Sequence, residues 1–334
     1  MKKQILANGF EVGAVGLGCM GFSHAYGVPT ENNEAIEIIR RAAEAGYELF
    51  DTAEVYGTQD DPHCNEVLVG KALKPYRNKV KIISKFGIHF DMNDGNVNHG
   101  LIPNARPEVI RKSVEGSLKR LQTDRIDLYF QHRIDPAVEP EAVAQVMADL
   151  IKEGKILHWG ISEANADYLR RANAVCPVTA VENRYSMMAR QYEALFPVLE
   201  ELGIGLVAFS PMANGFLSGK YGASSSFDKK YDYRSVMPQF TADAVEENKE
   251  LIKLLYDIAD SKNATPAQIS LAWMIYKKPW IVPIPGTRKL ERLKENADAA
   301  DIELTDEEVK AIDTALDAMK MSAVFGGSKI CDKE

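Results

Sequence analysis

A short apolar run, a loop and an amphipathic helix succeed one another about eight times along this chain. The connections are too long for hairpins, so the runs read as parallel strands joined by crossover helices. The first core strand is expected at Val15 to Gly18 and its helix near Thr30. In that helix Ala35, Ile38, Ile39, Ala42 and Ala43 fall on one face at helical spacing, and Ala45-Gly46 stops it. Later strands are expected at Tyr47–Phe50, Val80–Lys85, Ile126–His132, Lys155–Ile161, Val178–Val181, Ile204–Phe209 and Trp280–Ile284. Gln4 to Val12 reads as a small hairpin turning at Asn8-Gly9. Asp91–Asn104 and Ser210–Phe240 read as long loops. One helix around Tyr192–Leu202 and two helices after Phe240 are expected. Thr265-Pro-Ala-Gln268 and Thr305-Asp-Glu-Glu308 are capping boxes that start helices.

No linker or composition break divides the 334 residues. The economical answer is one domain over 1–334, a (β/α)8 TIM barrel with an N-terminal β-hairpin and extra helices. A doubly wound sheet is the alternative, because Gly16-Leu-Gly18-Cys-Met-Gly21 fits the G-x-G-x-x-G dinucleotide pattern. Two features count against that pattern. Gly27 and Pro29 delay the helix that should open at the glycines, and Asp51 follows Gly21 by 30 positions, against about 20 in the fingerprint.

The formal net charge of −8 argues against a nucleic-acid partner. The four cysteines, Cys19, Cys64, Cys176 and Cys331, fit no metal pattern, so no metal site is expected. Reduced thiols in a cytoplasm are the expectation. Met-Lys-Lys-Gln lacks the apolar stretch of a signal peptide, and no apolar run has the length of a membrane span. No membrane partner is expected, and oligomeric state is not legible.

In a barrel the strand ends share one face, where catalytic groups gather. Asp51, Lys85, His132, Ser162, Glu182 and Phe209 sit at strand ends or one position beyond, and Tyr56 follows Asp51 on the next loop. Taken singly, each has a dull explanation: a helix cap, a solvated charge, a satisfied histidine. Together they suit acid–base chemistry. A free tyrosine has a pKa of about 10, and a neighbouring ammonium stabilises its anion. An adjacent carboxylate keeps that ammonium charged. Asp51, Lys85 and Tyr56 thus form a relay, and a neutral His132 can bond a substrate oxygen. Such a set protonates a carbonyl oxygen while its carbon receives a hydride, which only a cofactor supplies. After the last strand, Gly286 and Thr287 at a helix start, with Arg288 and Arg292, make an anion site suited to the phosphorylated ribose of NADP(H). The bland alternative is a solvated basic helix face.

The sequence resembles the aldo-keto reductase family. The likeness lies in the glycine-rich Gly16–Gly21 stretch, Phe50-Asp-Thr-Ala53 with Tyr56-Gly57, and Ser84-Lys85-Phe86. It continues in Arg125–His132, Gly160-Ile-Ser162, Phe209-Ser-Pro211 with Gly215 to Gly219, Thr265–Gln268 and Ile284–Asn296. The resemblance implies an NADP(H)-dependent reductase of small aldehydes or ketones with a catalytic tetrad of Asp51, Tyr56, Lys85 and His132. It implies cofactor contacts from Gly18, Met20, Asp51, Ser162, Glu182 and Phe209, and a loop over the pyrophosphate from Ser210, Pro211, Met212, Gly215, Leu217, Gly219 and Lys220. Gly286, Thr287, Arg288, Arg292, Glu295 and Asn296 are implied at the far ribose. Phe22, Tyr26, Tyr56, Phe86 and His132 are the expected substrate walls, with Trp159 a further apolar candidate. Three positions depart from the family pattern: Glu182 stands where Gln is usual, Glu163 where Asn is frequent, and Phe209 where Tyr is frequent. Relatives of this fold also serve as nucleotide-sensing regulatory subunits on ion channels. That alternative is disfavoured here because no additional N-terminal docking segment is seen. A Schiff-base aldolase using Lys85 is a third reading, opposed by the acidic partner Asp51.

Overall fold

The structure, a computed structural model, describes residues 1–334 apart from 8, 59, 92, 94–98 and 332–334. Eight strands pair side by side in chain order: β1 (Leu17–Gly18), β2 (Leu49–Asp51), β3 (Lys81–Phe86), β4 (Ile126–Gln131), β5 (Ile156–Ser162), β6 (Ala180–Arg184), β7 (Gly205–Phe209) and β8 (Ile281–Pro283). Every pairing among them is parallel. A doubly wound sheet would reverse its strand order at a switch point. Here the order never reverses, and the two ends meet. Gly16 N donates to Pro283 O at 3.0 Å and Gly18 N to Pro285 O at 3.3 Å. The fold is a (β/α)8 barrel.

The glycines that imitate a dinucleotide fingerprint serve this seam. A Cβ on Gly18 would lie 2.8 Å from Ile284 O, and one on Gly16 would lie 2.9 Å from Ile284 Cγ2. The strands approach too closely there for a side chain.

The barrel interior is a small apolar cluster that includes Leu49, Ile83, Leu128, Phe130, Val207 and Val282. A hairpin of Lys3–Ile5 and Glu11–Gly13 delivers Leu6, Phe10 and Val12 to the same cluster and plugs one end. Its predicted turn at Asn8-Gly9 falls partly on residue 8, outside the described residues. The larger core lies between strands and helices.

Three expectations are corrected. Asp91–Asn104 is not simply a loop, because Ile88–Asp91 and Gly100–Pro103 pair as an antiparallel hairpin. Ile88 and Leu101 pack it against Ala53, Val55 and Tyr56, on the loop after β2. The polar composition of this stretch hides a short alternating pattern that pairs outside the barrel. Tyr192–Leu202 is a 3-10 turn (Gln191–Leu195) followed by the helix Phe196–Leu202, with Pro197 in its first turn. Between Phe240 and β8 there are three helices, Ala242–Glu247, Lys249–Lys262 and Pro266–Lys277, where two were expected. The unexpected break falls at Asn248, whose side chain accepts from Ser322 N at 3.1 Å and donates to Ser322 Oγ at 2.7 Å. Both capping boxes form.

After the helix Asp306–Ala318 the chain runs back across the barrel mouth. Arg184 Nη2 donates to Gly326 O at 2.6 Å, and Leu101 N donates to Lys329 O at 2.7 Å.

Gly18→Ala should lower stability by about 1–3 kcal/mol, the usual cost of forcing atoms into a packed site. Urea unfolding checks it, and an unshifted midpoint would show the seam able to open.

Candidate active site

Successive strand residues face opposite sides, and this alternation decides which strand-end groups reach the barrel mouth. On β2, Leu49 belongs to the interior cluster, Phe50 to the outer core, and Asp51 lines the mouth. On β3, Ile83 points inward, Ser84 bonds Glu66 of the helix Cys64–Leu73 at 2.5 Å, and Lys85 points inward again. Glu182 and Phe209 follow the same parity, with Val181 and Ala208 facing the helices.

Lys85 is fully buried. Its Nζ is paired with Asp51 Oδ1, donates to Thr52 O at 3.0 Å, and lies 3.3 Å from Glu182 Oε1. It also lies 4.7 Å from the centre of the Tyr56 ring. The His132 ring meets Tyr56 edge-on at 5.5 Å. Residues distant in sequence thus converge on one ammonium. The loop carrying Tyr56 is tied to β3, since Glu54 N donates to Lys85 O at 3.3 Å and Gly87 N to Glu54 Oε1 at 3.1 Å.

The electrostatics follow from burial. Loss of water opposes the Lys85 ammonium, yet Asp51, Glu182 and Tyr56 outweigh it and raise its pKa. Burial raises the Tyr56 phenol, with Lys85 pulling the other way by charge and hydrogen bond. Burial, and then the charge of Arg133, hold His132 well below its ordinary value, so it is neutral. Glu182 is pushed up to about 8, by burial first and then by the charge of Asp51.

Asp51, Tyr56, His132 and Glu182 line one cavity of about 730 Å³ together with the segment after β8, within the usual range for ligand pockets. Gly286, Thr287, Arg288, Arg292 and Asn296 line its other part. Arg288 Nε donates to Gly21 O at 2.6 Å and Nη1 to Val28 O at 2.7 Å. Three buried polar atoms on the cavity's lining residues have no hydrogen-bond partner among the described residues: Arg288 Nη2, Glu182 Oε2 and His132 Nδ1. The loop after β7 contributes Ser210, Pro211, Met212, Gly215 and Lys220. Ser210, Ala213, Asn214 and Gly215 all have positive φ there. Left-handed backbone at non-glycine residues costs free energy and clusters at ligand clamps.

Residues 14–317 match the Aldo/keto reductase family. The chain belongs to that family. It is 38% identical over 325 residues to a probable aldo-keto reductase of Glycine max, covering 96% of this chain and 89% of the relative. Among solved structures, a glycerol dehydrogenase of Gluconobacter oxydans superposes with a TM-score of 0.84 at 26% identity, covering 97% of this chain and 98% of that one. The holo form of an aldo-keto reductase of Bacillus halodurans gives 0.76 at 26% identity, covering 98% of each chain.

Several residues expected at the site do not reach the cavity. Phe86 follows Lys85, so alternation turns it outward onto Tyr129 at 4.9 Å between ring centres. Trp159 likewise faces the helices and donates to Cys176 O at 3.3 Å. Leu217 is buried in the outer core, and Gly219 packs beside Tyr256. Glu295 pairs with Arg292 and accepts from Thr265 Oγ1 at 2.7 Å, and does not line the wall. Gly18, Met20, Phe22, Tyr26, Ser162, Glu182 and Phe209 do line it.

Sequence reasoning missed Arg133, whose Nη1 donates to His132 O at 2.6 Å and to Ser162 Oγ at 2.9 Å. Its signal was present, a cation directly after a strand-ending histidine. His24 was also missed. It stacks on Phe90 at 5.1 Å, and burial lowers its pKa to about 4.

Glu182 ionises near 8 when folded against an ordinary 4.5. A raised folded pKa gives stability that is full below the unfolded value and lost as pH rises through the folded one. Glu182→Gln should therefore lose less stability than wild type between about pH 5 and pH 8, by at least about 1 kcal/mol, the worth of one pKa unit. Urea melts across pH check this, and parallel profiles would contradict it.

Proposed function

We propose that this protein is an NADPH-dependent reductase of aldehydes or ketones, with Tyr56 as general acid. The observation that carries the reading is that Asp51, Tyr56 and His132 line one cavity with Arg288 and Arg292, while the buried Lys85 ammonium backs onto Asp51 and Tyr56. NADPH, when bound, would supply the hydride. Its fit rests on the cavity's donors. The unpartnered Arg288 Nη2, with Arg292, would hold a ribose phosphate, and the strained backbone at Ser210–Gly215 would lie along the diphosphate.

In this reading Tyr56 stays protonated at neutral pH because burial raises its pKa. It therefore carries a proton to give to a carbonyl oxygen. As that proton leaves, the phenolate gains the nearby ammonium of Lys85, a stabilisation that grows toward the transition state. Asp51 keeps Lys85 charged throughout. The neutral His132 borders the same space and can bond the substrate oxygen. Arg133 holds the backbone carbonyl of His132 and so fixes the ring's position. A Schiff base on Lys85 would need a neutral amine, which the buried pairing with Asp51 opposes. Substrate walls would come from Phe22, Tyr26, Ile88, Phe90 and Leu101, an apolar surface suited to a small organic carbonyl.

Tyr56→Phe should lower carbonyl-dependent NADPH oxidation by about 10²–10⁴-fold, the span of general acid catalysis, with the NADPH Kd within about twofold. Undiminished turnover would refute Tyr56 as the acid. Arg292→Ala should weaken NADPH by about tenfold or more, as a lost charge-assisted contact does, and leave NADH nearly unchanged. Equal effects on both nucleotides would remove the phosphate assignment.

A further inference from the structure

We propose that Glu182 biases the site toward the oxidised nicotinamide over the reduced one, by placing a second buried carboxylate beside a single lysine. This rests on the nicotinamide reading above and deepens it. The geometry is specific. Lys85 Nζ touches Asp51 on one side and Glu182 Oε1, at 3.3 Å, on the other. The other oxygen, Oε2, is buried with no partner among the described residues, on a residue of the cavity wall.

The groups around Glu182 come from each neighbouring element. Asp51 on β2 repels its charge. Lys85 on β3 attracts it, and so, as a smaller effect, does Arg133 after β4. Tyr56, on the loop after β2, is neutral while protonated and feels Glu182 as a repelling charge when it ionises. Arg133 is itself engaged, with Glu163 Oε2 at 3.2 Å, His132 O and Ser162 Oγ. Arg184 shares that same Glu163 at 3.1 Å. The lysine thus faces two acids, and the nearby arginines are tied to a third.

A hydride donor that serves a carbonyl at Tyr56 must lie within a few ångströms of Lys85, and Glu182 is one contact away from that lysine. The oxidised nicotinamide ring is cationic and the reduced ring is neutral. A carboxyl group beside a cation within about 4–6 Å is drawn to ionise. Beside a neutral ring no charge is added, and burial with the charge of Asp51 continues to outweigh the pull of Lys85, so Glu182 keeps its proton. A glutamine at this position would be neutral in both cases and could not discriminate. Tighter hold on the oxidised form favours hydride delivery among enzyme-bound species, and it slows the departure of spent cofactor.

The test titrates the intact protein with NADP+ and with NADPH, following protein fluorescence, for wild type and Glu182→Gln at pH 7. The variant should raise the ratio of the NADP+ Kd to the NADPH Kd by about tenfold, the factor that one pKa unit of differential interaction represents. A ratio unchanged within about twofold would overturn the inference. Calorimetry on wild type alone, in two buffers of different ionisation enthalpy, is independent of how the variant folds. NADP+ should release protons on binding and NADPH should not. Equal release for both would overturn the inference too. If neither nucleotide binds wild type, the nicotinamide reading fails, and this inference fails with it. If both bind and only the ratio or the proton release disagrees, the inference alone fails.

Discussion

The Lys85 ammonium sits fully buried between Asp51 and Glu182, and the rest of the site takes its bearings from it. Removing ions from water costs several kcal/mol for each even after relaxation. A buried pair such as this is therefore poor value as a stabiliser. In the proposed reaction its worth is chemical, because a fixed ammonium beside a phenol would let tyrosine release a proton it otherwise retains. The surrounding apparatus keeps that geometry rigid. Thr52 takes a second lysine donor, and Glu54 ties the Tyr56 loop to β3. The hairpin Ile88–Pro103 then packs on the same loop.

Strand alternation explains both what the chain disclosed in advance and what it concealed. Asp51, Lys85, Ser162 and Glu182 were legible because each ends an apolar run, and the mouth of a barrel accommodates polar groups there. The same alternation misdirected Phe86 and Trp159. Each is aromatic and close to a site residue, but an odd offset from it turns the ring toward the helices. The parity was available in the sequence; proximity to the motif was allowed to outweigh it.

Other features were hidden for different reasons. The hairpin at Ile88–Pro103 is polar and glycine-rich, so composition suggested a loop while pairing made strands. Leu217 and Gly219 lie in a stretch whose neighbours do line the cavity, and no local pattern says which residues turn away. Arg133 carried a signal, a cation after a terminal histidine, but its bonds to His132 and Ser162 exist only across two strands. Long-range contacts of this kind have no periodicity to read. The glycine pattern near the start was legible as chemistry and as architecture, and the steric clearance at Gly18 decides for architecture.

The seam that joins Gly16 and Gly18 to Pro283 and Pro285 bears on how the molecule comes into being. Its partners are separated by most of the polymer, so the ring cannot shut until nearly all of it has collapsed around the first strand. Until then two rows of unsatisfied amides and carbonyls stand at the open margins, the kind of edge that invites association between copies. The plug formed by Leu6, Phe10 and Val12 meets side chains from both halves of the ring. It therefore fastens the two halves of the ring to each other independently of the seam.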